Sequence, residues 1–536
     1  MLKEAKKEGG NWGASFFFIA NLLNFVLATA VFTIPFPMHE VGLVLGTIIL
    51  SITCFISVIA CTFIIEALAL KNSIIKRENL ILNKAIKEKK VEKGKDTKNS
   101  QGKESLGVIT KETIASNIEE IDDKIEEEEN EEDDKKIKII DNEDDDEEDE
   151  LDKDDEKRDN FYISKRYEIS KLSKALPKPG YFFVVVTIIF YLYVGVTSNG
   201  IIAGNNLKDI IGKTFDIEMP DYSYYIIVLC FFTITITIAL NNIKNLKKFS
   251  MFIMIMRFVI IFLIMGCCFY SIGKYGAAKF SDIPKFDLSN ITVMIGNSLF
   301  VFMSHHSIPG MVENFTPQKR LIKLLIIGYI FSLIFIVLYS YVGVFAFSDP
   351  SLSCDKDSPF PIAIQSTFSS NFLGLSIFGY IINYYPILNV ITSGMQLITL
   401  RNNILEAIAG CNPELSKSLN FAEKSGIIPI AKNFLFSTIV AIPPITIGLS
   451  LQNIQSLMKY FSSILGFMLM LIVPVLVVNG YRRIFYKRNY AFSQLNRSFL
   501  KNKYGNIFVI TMAVIIFGMI IFGFVKNIKN KTCVNE

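Results

Sequence analysis

The residues in this chain best placed to do chemistry stand in two interrupted apolar segments. The first reads Phe16-Phe17-Phe18-Ile19-Ala20-Asn21-Leu22-Leu23-Asn24-Phe25-Val26-Leu27-Ala28-Thr29-Ala30-Val31-Phe32-Thr33-Ile34-Pro35. The second reads Ile295-Gly296-Asn297-Ser298-Leu299-Phe300-Val301-Phe302-Met303-Ser304-His305-His306-Ser307-Ile308-Pro309-Gly310. Each starts like a membrane helix and then gathers Asn, Ser, Thr, small residues and a proline. Lipid tolerates unpaired backbone only where protein encloses it or where it lines a cavity. A matched pair of such segments, one in each half of a chain, points to the binding site of a transporter. Asn24, Ala28, Thr29, Ala30 and Thr33 occupy the expected break of the first segment, and Ser304, His305 and Ser307 that of the second. Small side chains let a solute approach the backbone, and the freed N–H groups of a half-helix attract a carboxylate. The same spacing of small residues also serves helix packing; the matching second break favours a solute site.

The chain has three histidines, His39, His305 and His306, and all lie at these two segments. An imidazole in a membrane cavity is a proton carrier, because modest shifts move its titration across physiological pH. In a third polar stretch, Asn383 to Gly394, Thr392 and Ser393 offer hydroxyl oxygens to Na⁺, although such hydroxyls also bond back to helical carbonyls. His305, His306, Thr392 and Ser393 are therefore the ion-coupling candidates. Glu66 and Arg257 are charges inside apolar runs. Such charges face the bundle interior and find partners, and a structural ion pair is expected for each.

The elements that must hold these residues are membrane helices. The chain has 536 residues, 51% of them hydrophobic. About eleven runs are apolar enough to span a bilayer, near 14–36, 42–70, 181–204, 222–241, 249–273, 293–313, 322–348, 372–400, 433–451, 455–479 and 505–526. No soluble core could bury so many, so the expected class is an all-α polytopic membrane protein. Helices 1–5 begin with one broken helix, helices 6–10 begin with the other, and helix 11 is left over. Because five is odd, two such halves lie in the membrane with opposite orientation, as inverted repeats. Lys3, Lys6, Lys7, Lys244, Lys247, Lys248, Lys319, Arg320, Lys323, Arg482, Arg483 and Lys487 gather in alternating loops, which places the N-terminus in the cytosol. Lys526, Lys529 and Lys531 fall on the other side, against that rule.

Three stretches organise the chain: 1–70 with the first two helices, 71–178, and 179–536 with the rest of the same membrane domain. Most of the 51 Asp and Glu residues lie between 71 and 160, so the net charge of +4 hides a basic membrane portion. Residues 71–178 are Lys-rich and then acidic, with few apolar side chains, which predicts a disordered cytosolic insertion. It is either passive low-complexity sequence or a docking segment for a cytosolic partner. No zinc spacing, nucleophile elbow, phosphate loop or dinucleotide fingerprint is present. No enzyme, cofactor or metal centre is expected, only H⁺ or Na⁺ as coupling ion. Topology accounts for the basic loops, so no nucleic-acid partner is implied.

The stretch Asn24 to Pro35 resembles the opening motif N-x-x-x-G-x-G-x-x-x-x-P of the amino acid/auxin permease superfamily. Phe63-Ile64-Ile65-Glu66-Ala67-Leu68-Ala69, Ser304-His305-His306-Ser307-Ile308-Pro309, and Pro386 with Leu400-Arg401-Asn402-Asn403 are similar to its transmembrane protein 104-like branch. The resemblance implies a LeuT-type fold of eleven helices, a 5+5 inverted repeat plus one, and secondary transport (symport) of amino acids driven by H⁺ or Na⁺. It places the substrate's amino and carboxyl groups at Asn24, Ala28, Thr29 and Ala30 and at Ser304, His305 and Ser307. The implied partners are an amino acid and a lipid bilayer, in the plasma membrane or an internal vacuolar or endosomal membrane. One departure matters: both glycines of the motif are alanine here, Ala28 and Ala30. Alanine resists the positive φ that glycine permits, so the expectation is a less unwound helix, a tighter pocket or a different substrate. Two rival readings are an amino acid sensor or scaffold signalling through the acidic loop, and a carrier of another small solute.

Overall fold

The computed structural model describes residues 2–96, 161–240, 243–312, 318–347, 364–375, 377–411, 427–490 and 503–534, together with Phe315, Leu415 and most of 492–500. Among the described residues every regular element is helical: the protein is an all-α polytopic membrane protein. Among the described residues eight helices are long and apolar enough to cross a bilayer, or nine if a bent pair is one span. The eleven apolar runs expected from the sequence exceed this number for two local reasons. Tyr222–Ile238 has only 17 residues, and the run near 372–400 is cut by a 3₁₀ turn, Tyr385–Leu388, that contains Pro386.

The bent pair is α1 (Leu2–Thr33) and α2 (Pro35–Val41), which meet at 60°. Next come α3 (Leu43–Asp96) and, after the segment 97–160 that lies outside the described residues, α4 (Ile169–Leu172). The bundle continues with α5 (Lys178–Phe215), α6 (Tyr222–Ile238) and α7 (Ile243–Tyr275). A second broken helix follows, α8 (Ile291–Val301) and α9 (Ile308–Val312), separated by a 3₁₀ turn at His305–Ser307. Then come α10 (Leu321–Phe347), α11 (Ile377–Tyr384), α12 (Asn389–Cys411) and α13 (Ile427–Ser450). The span α14 (Ile454–Lys487) carries π-turns at Met458–Ser462 and Met468–Ile472, and α15 (Lys503–Val534) closes the bundle.

The chain forms two compact units, residues 1–72 with 161–536, and residues 73–160. α3 runs on past residue 70 to Asp96, and Phe161 to Leu176 belong to the larger unit.

Lipid gives no hydrophobic drive between helices, so close packing and hydrogen bonds must hold them. Gly204 lets α6 approach α5: a Cβ there would sit 2.6 Å from a Val228 methyl. Val196, Ala203, Tyr224, Val228, Phe231 and Phe232 form a buried cluster at that contact, and the Tyr224 hydroxyl donates to the Gly448 carbonyl of α13 at 2.9 Å. Gly296 in α8 faces the first π-turn of α14, where a Cβ would lie 2.1 Å from the Met458 carbonyl oxygen. These contacts seat the second broken helix directly on α14.

Candidate functional site

The first break is set by two prolines. Pro35 and Pro37 carry no N–H, so the carbonyls four residues back, of Val31 and Thr33, lose their helical partners. Both find substitutes on other helices. The Tyr339 hydroxyl of α10 donates to Val31 O at 2.9 Å, and Gln455 Nε2 of α14 donates to Thr33 O at 3.2 Å. Gln455 Nε2 also lies 2.7 Å from Ser366 O, and its Oε1 accepts from Asn297 Nδ2 of α8 at 2.8 Å. One buried amide thus joins the two broken helices to the segment before α11.

This break lies later than the sequence placed it. α1 is helical through Asn24, Ala28, Ala30 and Thr33, and the Ile34 N–H still bonds to Ala30 O at 3.0 Å. With alanine where the motif has glycine, nothing unwinds the helix there, since alanine is the best helix former. Ala30 and Thr33 are buried; the side chains of Ala28 and Thr29 lie outside the described residues.

The second break falls where expected. Helical bonding stops at Phe302, and its carbonyl accepts from the Ser57 hydroxyl of α3 at 2.6 Å, with Tyr329 Oη at 3.2 Å. Tyr329 Oη also contacts the Ser304 hydroxyl and Cys61 Sγ, the latter at 3.2 Å. Next to this network His305 is fully buried; its ring interacts with the Ser57 backbone, and neither ring nitrogen makes a well-formed hydrogen bond among the described residues. Nor does His306 Nδ1. The His306 ring packs edge-on to Phe25 of α1, centroids 6.4 Å apart, and against Tyr191 of α5 at 5.6 Å. Phe25 and His306 are where the two broken helices meet. His39 stands apart, past the first break, with Nδ1 3.5 Å from Glu40 Oε1; Glu40 in turn accepts from Asn290 at 2.8 Å.

Helix 8 of the expected order reaches the first span through Tyr385, whose ring stacks on Phe32 with centroids 6.0 Å apart. Ser393, in α12, has a buried hydroxyl without a partner, and Thr392 is half-buried.

The two intramembrane charges behave differently. Glu66 forms the expected ion pair: Arg482 donates from Nε to Oε1 at 2.9 Å and from Nη2 to Oε2 at 2.7 Å. The Ser498 N–H adds a bond to Oε2 at 3.1 Å. Arg257 makes no ion pair among the described residues, contrary to expectation. It is 5% exposed and donates to the Asn24 carbonyl at 2.8 Å, to Asn24 Oδ1, and from Nε to the Tyr385 hydroxyl at 3.2 Å. Asn24 is therefore engaged by an arginine. Tyr329, Tyr339, Gln455 and Tyr385 are the residues that sequence reasoning missed.

Around the end where α3 leaves the membrane unit, Phe161–Leu176 forms a strap. Asn72 Oδ1 accepts from the Lys165 N–H at 2.9 Å, Gln318 exchanges two bonds with Ile163 at 2.7 and 2.8 Å, and Asn496 donates to Phe161 O at 3.0 Å. The strap, Glu66–Arg482 and the 495–500 loop form one closure. At the opposite end the Leu43 N–H bonds to Pro284 O and the Asp287 N–H to Val41 O. Gly42, at φ +90, makes that turn where a Cβ would collide with Lys285. The Ser289 side chain and N–H hydrogen-bond Asp287 and hold its carboxyl below the usual carboxylate range.

Residues 164–525 match the profile of the family described as transmembrane amino acid transporter protein. The chain belongs to that family. A transmembrane protein 104 homolog of Dictyostelium discoideum is 24% identical over 506 residues, 92% of this chain and 93% of the relative. The human transmembrane protein 104 is 22% identical over 267 residues, 48% of each chain. That of Caenorhabditis briggsae is 20% identical over 410 residues, 71% of this chain and 66% of the relative. The match spans nearly all of the Dictyostelium protein and about half of the human one.

Proposed function

We propose that this protein is an ion-coupled secondary transporter of amino acids that works by alternating access, with H⁺ as the coupling ion. The observation that carries the reading is His305: a fully buried imidazole whose nitrogens make no well-formed hydrogen bond among the described residues, in the turn that interrupts the second broken helix. An unsatisfied buried polar group needs an explanation, and a proton taken up when the turn becomes hydrated is one. His306 beside it, packed on Phe25, links that event to the first broken helix.

In this scheme the solute path runs along α1 from Ala28, Thr29 and Ala30 to Thr33, and past Ser304 and Ser307 at the second break. Thr392 and Ser393 are the hydroxyls available should Na⁺ couple instead. The basic loop residues favour a cytosolic N-terminus. The strap closure then guards the cytosolic side, and the Gly42 turn with the 284–287 loop guards the other.

The test is uptake by proteoliposomes of a labelled amino acid panel, with H⁺ and Na⁺ gradients imposed separately. Protonation of His305 on the loading side should make uptake rise as that side is acidified. His305→Ala should flatten this pH profile. Uptake driven by Na⁺ alone, or a wild-type pH profile in His305→Ala, would overturn the coupling role.

A further inference from the structure

Between Ala28 and Thr33, α1 offers a carboxylate no backbone donor. α1 is helical to Thr33, so its amide N–H groups are spent on its own carbonyls. The groups that Pro35 and Pro37 release are carbonyls, which suit an ammonium and repel an anion. The turn after Ser304 is a single 3₁₀ turn, too short to sum a useful dipole.

Arg257 offers a carboxylate a donor by position and by charge. It is a guanidinium held at 5% exposure inside the bundle, and all its partners are neutral oxygens. Taking a charge out of water costs several kcal/mol, and charges within membranes are ordinarily paired. Nη1 is committed to Asn24, whereas Nη2 has no hydrogen-bond partner among the described residues. Nε and Nη2 form the side-on edge of a guanidinium, the edge that receives a carboxylate through two parallel bonds. On that edge stands only the Tyr385 hydroxyl, at 3.2 Å. Asn24 belongs to α1 and Tyr385 to the turn before α12, so an anion bound here touches both of these elements.

We propose that the side-on edge of Arg257, between Asn24 and Tyr385, is the receptor for the carboxylate of the transported solute. The word "solute" rests on the transport reading above; the carboxylate site itself does not. Lysine would keep the charge and lose the two-bond geometry, and glutamine would lose both.

The test uses the purified full-length chain and follows thermal unfolding with each proteinogenic amino acid in turn. The best stabiliser is then compared with its methyl ester and its amide, and with sodium acetate and sodium chloride at matched ionic strength. Wild type should prefer the acid over ester and amide by about tenfold to hundredfold in affinity, the range of a charge-assisted pair. Arg257→Gln should lose that preference, and Arg257→Lys should keep part of it. If Arg257→Gln does not fold, the wild-type preference and its reduction in Arg257→Lys carry the test. The assignment falls if wild type binds ester and acid alike, or if Arg257→Gln still discriminates. It falls also if chloride competes as well as the carboxylate, or if no amino acid or acetate stabilises the protein. Acid preference that depends on Arg257, combined with no uptake under either ion gradient, would leave the receptor standing and remove the transport reading.

Discussion

The Tyr339 hydroxyl donates to the Val31 carbonyl at 2.9 Å, and Val31 is the residue whose helical partner Pro35 removes. The bend in the first span is thus a matched set: proline deletes a donor on one helix, and tyrosine on another restores it. Tyr339→Phe deletes one oxygen and orphans a carbonyl in a membrane interior. The expected cost is about 1–3 kcal/mol of stability, read from thermal unfolding in nanodiscs. Pro35→Ala returns an N–H to position 35. In that background Tyr339→Phe should cost less than half as much, and equal costs in both backgrounds would show that Tyr339 does not serve the break.

Gln455 performs the same repair for Thr33, and it is the donor end of its amide that does so. Gln455→Leu should remove the donor that serves Thr33 O and Ser366 O, at about 1–3 kcal/mol for each bond. Gln455→Glu keeps the acceptor facing Asn297 but brings acceptors to both carbonyls, so it should be no more stable than the leucine variant. A glutamate variant close to wild type in unfolding temperature would place the importance of Gln455 at Asn297.

How much of this was legible follows from what one sequence encodes locally. Apolar runs and prolines are local signals, so the helices and the second break could be read from them. The first break was expected at the small residues Ala28 and Ala30, yet alanine favours helix, and the break waits for Pro35. The charges Glu66 and Arg257 stood out in apolar runs, but their partners did not. Arg482 sits among Arg483 and Lys487, where the loop-charge rule already explains it. The Tyr385 hydroxyl and the Asn24 oxygens are neutral acceptors brought to Arg257 only by tertiary packing. Gln455 reads as an ordinary polar residue at a helix start until its three contacts are seen.

The Glu66–Arg482 pair makes a further prediction. Both side chains are buried, and the arginine also lies over the Phe63 ring, 5.5 Å from its centroid. Removing one partner leaves the other charge stranded, so Glu66→Gln and Arg482→Met should each cost about 3–5 kcal/mol. The double variant Glu66→Leu with Arg482→Met removes both charges and should be more stable than either single change. Unfolding midpoints check the order, and a double variant worse than both singles would contradict it.

Gly296 tests whether α8 is seated on α14 as tightly as the backbone implies. A Cβ there would lie 2.1 Å from the Met458 carbonyl oxygen and 2.8 Å from its carbon, and backbone atoms cannot rotate aside. The π-turn at Met458–Ser462 would have to move, and with it the register of Gln455 just before it. Gly296→Ala should therefore destabilise by at least the 1–3 kcal/mol typical of overpacking, about 3 or more. Gly266, in the middle of α7, offers the comparison, since a Cβ there meets nothing within 4 Å. Gly266→Ala should be neutral or stabilising by about 0.5–1 kcal/mol, through helix propensity alone. Because α8 leads directly into the His305 turn, Gly296→Ala should also lower proton-driven uptake in molecules that still insert, whereas Gly266→Ala should leave it unchanged.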